Sequence, residues 1–87
     1  MKVINNGAVI KDILEGLSLI ETDISVPKNV RIRIRTTMDI LSSVDNKDFN
    51  LRIDKSLQEL AEVADDPNIP QYTRMQIWTV VSQLENK

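Results

Sequence analysis

The chain matches itself at an offset of 43 residues. Ile10, Leu14, Leu17, Asp23, Pro27, Arg31, Ile34, Thr36 and Leu41 recur as Ile53, Leu57, Leu60, Asp66, Pro70, Arg74, Ile77, Thr79 and Leu84, and Ile20, Ser25 and Val26 return as Val63, Asn68 and Ile69. A fixed offset of about 20 to 50 residues marks one supersecondary unit used more than once. In 87 residues only two copies fit, one over about 8–44 and one over about 49–87, so the whole of 1–87 reads as a single domain.

Each unit reads as two helices joined by a tight polar turn. Ile10, Ile13, Leu14, Leu17 and Ile20 follow the 3, 4, 7 spacing of one buried stripe, which Thr22-Asp23-Ile24-Ser25 interrupts, so the first helix runs to about Glu21. Ser25 is placed to cap the next helix, and Pro27 is tolerated in its first turn because the amides there lack intrahelical partners. The second unit repeats the device with Asn68 and Pro70, after a stripe of Leu57, Leu60, Ala61 and Val63. The polar stretch 42–50 between the units reads as a short connection, with Asp48 or Asn50 capping the third helix. Helices joined this closely pack beside their sequence neighbours. The expected product is an all-α four-helix bundle built from two tandem helix-turn-helix units.

Composition narrows the chemistry. With no Cys and no His the chain has no disulfide, thiolate nucleophile, imidazole base or Cys/His zinc site. No stretch approaches the roughly 18 apolar residues that span a bilayer, and the first residues lack a secretion signal, so a cytoplasmic protein without a membrane partner is expected. Glu59 and Glu62, three apart on a helix, can face one ligand, but di-metal bundle sites combine Glu with Glu-x-x-His, and His is absent. No spacing resembles an activated nucleophile. The expectation is a non-enzyme with no catalytic residue, cofactor, metal or small-molecule substrate.

Two resemblances follow from these residues. The paired helices at this offset, with Asp23 or Asp66 in the turn and Arg31 or Arg74 beyond it, resemble HEAT and armadillo repeats in architecture, although two units make no solenoid array. The stretch Asp66-Pro67-Asn68-Ile69-Pro70, followed by Thr73-Arg74, Ile77-Trp78 and Val81-Ser82-Gln83-Leu84-Glu85, resembles the C-terminal signature of an uncharacterised archaeal family of small all-helical proteins, as does Val26-Pro27-Lys28-Asn29. The likeness covers the chain from about Ile10 onward. It implies a compact four-helix fold in an archaeal cytoplasm and carries no activity with it.

Three surfaces remain as candidates. Asp23, Pro27 and Arg31, and their counterparts Asp66, Pro70 and Arg74, are expected to lock each turn, the aspartate bonding the arginine across a charge-assisted bond. Lys28, Arg31 and Arg35 share one helical face while Arg33 points elsewhere, and three cations in a line can track phosphates. Nucleic acid is therefore the alternative partner. Against it stand a net charge of -2, the lack of a glycine-rich loop or aromatic interleaving, and a second unit that puts Gln71 and Trp78 where the first has Lys28 and Arg35. Residues 1–44 carry six basic and five acidic side chains and residues 45–87 five and eight, an unevenness through which two copies can attract each other.

The third surface is apolar. On the fourth helix Thr73, Ile77, Val80 and Leu84 form the inward line, which sets Trp78 roughly 100° away from it and Met75 on the far side. Ile32 holds Met75's place in the first unit. Met75, Trp78 and Val81, with Ile32, are the expected contact patch for a protein partner or a second copy of the chain. The function expected is that of a protein–protein interaction or scaffolding module that self-associates as a homo-oligomer.

Overall fold

The computed structural model describes residues 6–42 and 49–85; of the capping residues expected for the third helix, Asp48 lies outside them. Four helices follow one another: α1 (Asn6–Glu21), α2 (Lys28–Ser42), α3 (Phe49–Ala64) and α4 (Gln71–Glu85). Asn50 is inside α3 and caps nothing. Each helix buries one stripe. Ile13, Leu17 and Ile20 do so on α1, and Val30, Ile34, Thr37 and Leu41 on α2. Thr73, Ile77, Val80 and Leu84 form the corresponding line on α4, the inward line that helical spacing requires. On α3 the stripe is rotated from the expected one. Ser56 and Ala64 are buried and Ala61 is exposed, because the buried set is Ile53, Ser56, Leu60 and Val63, the α1 pattern displaced by 43 residues.

α1 packs against α2 and α4, and α3 packs against the same two, while the diagonal pairs α1–α3 and α2–α4 do not meet among the described residues. An open stack of repeats would lay equivalent helices on each other, α1 on α3 and α2 on α4. Here the pairs between the halves are α1–α4 and α2–α3. Exchanging the halves turns one pair into the other, so the bundle closes on itself.

The two turns, 22–27 and 65–70, run alike. Asp23 accepts hydrogen bonds on Oδ1 from the Ser25 amide at 2.9 Å and the Ser25 hydroxyl at 2.6 Å. Asp66 accepts from the Asn68 amide at 2.8 Å. These are turns of the kind in which an aspartate side chain bonds the backbone two residues on. Ser25 therefore serves the aspartate and not the helix end, a correction to its expected capping role. Val26 and Ile69 then drop into the core, 1% and 5% exposed, and Pro27 and Pro70 sit just before their helices, with carbonyls that accept the first helical amides from Arg31 and Arg74 at 3.0 Å.

The arginines act differently from expectation. Arg31 donates from Nε to the Val26 carbonyl at 3.0 Å; Arg74 donates from Nε to the Ala64 carbonyl at 2.9 Å and from Nη2 to the Asp66 carbonyl at 3.0 Å. Among the described residues neither aspartate forms an ion pair with its arginine. The carboxylates are already engaged by turn amides, and the guanidinium groups take main-chain oxygens instead: those of Val26 and Asp66 in the turns, and that of Ala64, which the end of α3 leaves unpaired.

Two outcomes test this account. The Asp23 carboxyl is held below its ordinary pKa, first by the Ser25 hydroxyl, then by the Ser25 amide, with a smaller contribution from Arg31. A depressed folded-state pKa contributes stability that is present above the unfolded value of about 3.9 and fades as pH falls through the folded one. Asp23→Ala should therefore lower the melting temperature at neutral pH, and the difference from wild type should shrink below about pH 3.9. Gly16 lies mid-helix in α1 without a positive φ, and a Cβ there would meet only Val80 Cγ2, at 3.4 Å. Gly16→Ala should stabilise the chain by about 0.5–1 kcal/mol, a rise of a few degrees in calorimetry.

Candidate functional site

The cations expected on one face do line one cleft. Lys28, Arg31 and Arg35 border an open hollow of about 300 Å³ with Glu21, Ile32 and Thr36. Two of the three are already in use. Arg31 is tied to the Val26 carbonyl, and Arg35 bonds Glu21 at 3.0 Å and approaches Asp39 at 3.5 Å, contacts that push its pKa up, Glu21 foremost. Lys28 is exposed at the start of α2. The corresponding place in the second unit holds Gln71, Arg74, Met75 and Trp78.

Arg33, which the sequence sets aside, is the most heavily bonded cation of α2. Its Nε and Nη2 donate to Glu59 Oε1 at 3.2 and 2.9 Å, and Nη2 also donates to Glu62 Oε1 at 2.6 Å. Glu59 and Glu62 do converge, as their spacing suggests, but on a guanidinium across the α2–α3 groove. Those bonds, Glu62 foremost, push the Arg33 pKa up. Among the described residues no three His, Cys, Asp or Glu gather in a cluster able to hold a metal. An arginine placed to face two carboxylates three residues apart is the sequence signal for this bridge; it becomes legible only once α2 and α3 are known to be neighbours.

The apolar candidates separate. Met75 is 59% and Trp78 47% exposed on α4, whereas Val81 is only 7% exposed and belongs to the core. Ile32 is exposed but stands on α2, the helix diagonal to α4, so it borders the basic cleft and does not join Met75. Tyr72, absent from the expected patch, is 68% exposed. Its spacing of three from Met75, which is itself three from Trp78, makes each adjacent pair neighbours on the helix surface, a row that drifts about 120° around α4 from Tyr72 to Trp78. That spacing was available in the sequence.

A model of the uncharacterised protein family UPF0147 matches residues 1–86. The chain belongs to the UPF0147 family. UPF0147 proteins of the archaea Methanosarcina mazei and Sulfurisphaera tokodaii are 38% and 36% identical over 81 and 83 residues, alignments that cover 93% of this chain in both cases and 86% and 90% of the relatives. The crystal structure of a UPF0147 protein from Thermoplasma acidophilum superposes with a TM-score of 0.85 at 33% identity, covering 93% of this chain and 94% of that one. That of MMP1188, a protein of unknown function, superposes at 0.90 with 31% identity over 100% and 98%. The four-helix architecture is thus a family property. The family is uncharacterised, and neither its description nor the titles of these relatives indicates a catalytic activity.

The bridge across α2 and α3 of this UPF0147 chain can be tested. All three side chains are about a third or more exposed, at 38% for Arg33, 32% for Glu59 and 55% for Glu62, so solvent screens them. Arg33→Ala should cost at most about 1 kcal/mol, and urea melts in high salt should erase most of that difference.

Proposed function

We propose that this protein works without chemistry, as an interaction module that self-associates through the outward face of α4. The observation that supports this reading is the run of Tyr72, Met75 and Trp78, three large side chains spaced three residues apart and each about half or more exposed, at 68%, 59% and 47%. Isolated exposed apolar residues are ordinary, and Ile24 is of that kind; a run that includes a tryptophan and a tyrosine is the composition of an interface centre. Aromatic rings on a rigid helix give large contact area for little loss of conformational freedom. No cofactor, metal or small-molecule substrate enters the reading. Nucleic acid binding by Lys28, Arg31 and Arg35 is the lesser alternative, since two of the three cations already have partners within the chain.

Sedimentation equilibrium checks it. The wild type should associate at micromolar concentration. Trp78→Ala, by removing a central anchor, should weaken association by about 2 kcal/mol, roughly 30-fold, with an unchanged helical spectrum. A wild type that is monomeric at every concentration would refute the self-association.

A further inference from the structure

The two grooves between the halves are built from equivalent residues but are not filled alike. In the α2–α3 groove Arg33 is met by Glu59 and Glu62. At the positions 43 residues removed, the α1–α4 groove has Gln76 for Arg33, Gly16 for Glu59 and Leu19 for Glu62, so the bridge has no counterpart. What remains is a cleft of about 210 Å³, bordered by Asp12, Gly16, Leu19, Gln76 and Gln83 over Val80.

Three observations mark it as more than a packing fault. Gln76 Oε1 is buried and accepts no hydrogen bond, a condition that costs stability unless something supplies a donor. Gly16 is where an alanine would help the helix: its φ is ordinary and the space would admit a Cβ, so the glycine serves neither a turn nor a close backbone approach, and its effect is to leave the cleft open. Leu19 is 64% exposed at the rim, an apolar wall in water.

The lining selects the occupant. Among the described residues it offers a carboxylate at Asp12 and the side-chain amide of Gln83, with the unpaired Gln76 Oε1 buried at its wall, and no cation lines it. A volume of this size is below the range of pockets that hold cofactors or nucleotides, and suits one side chain. An arginine combines what is missing: donors for the acceptors, positive charge beside Asp12, and an apolar stem to lie along Leu19.

We propose that the α1–α4 cleft receives an arginine side chain presented by a partner polypeptide, taking the place that an internal charged bridge occupies between α2 and α3. The site is separate from the outward face of α4, since none of Tyr72, Met75 and Trp78 borders it.

Titration of the ¹⁵N-labelled full chain with N-acetyl-arginine N-methylamide tests the proposal by amide chemical shifts. Saturable shifts should cluster at Gly16, Gln83 and the Gln76 side-chain amide, with millimolar dissociation. The glutamate and leucine analogues should move these signals at least several-fold less. Gly16→Glu, which puts a carboxylate and its stem into the space, should abolish the response; Gln76→Met, which removes the acceptor while retaining the length, should weaken it several-fold in a chain whose spectrum shows it folded. Shifts that are absent, that are equal for the glutamate or leucine analogue, or that persist unchanged in the folded Gln76→Met variant would overturn it.

Discussion

A helical hairpin of this size has one greasy side and nothing of its own to cover it, so each half of the chain folds only because the other half is present. Ile13, Leu17, Ile20 and Ile34 from the first half and Ile53, Leu60, Ile77 and Leu84 from the second are all within about 1% of complete burial, and they form one continuous cluster. With no disulfide among its means, the chain draws its stability from this shared interior, and in a domain of under about 100 residues that margin is a few kcal/mol. A single Ile→Ala truncation in the cluster costs about 2–5 kcal/mol, comparable with the whole of it. Turns, ion pairs and surface clefts are all details placed on that mutual shelter.

Much of the fold was legible because helical periodicity reports burial directly. The inward line of α4 could be written down residue by residue, and the end of α1 at Glu21 followed from the break in its stripe. The errors share a cause. Ala61 looked like a core residue because alanine is apolar, yet the buried line runs through Ser56 instead, and position on the helix outranked residue type. Ser25 looked like a cap because serine usually is one, until Asp23 two residues earlier took its amide and its hydroxyl.

The candidate surfaces were less legible, since they depend on which helices become neighbours. Lys28, Arg31 and Arg35 could be grouped because they stand on one helix, and the structure keeps them together. Ile32 and Met75 could not be assigned to different faces, because equivalence in a repeat says nothing about adjacency, and the closed packing sets their helices at opposite corners. Arg33 with Glu59 and Glu62, and the vacancy between Gly16 and Gln76, arise only where the halves meet.

The arginine clamps of the two turns have a further consequence. Arg31 and Arg74 grip main-chain oxygens, which every residue possesses, and not the side chains of the loop. The latch recognises the path of the chain and is indifferent to its spelling. Ile24 and Pro67, both exposed, can therefore stand at the same point of the two bends. The bends are thus free to acquire new surface chemistry while the scaffold beneath them stays as it is.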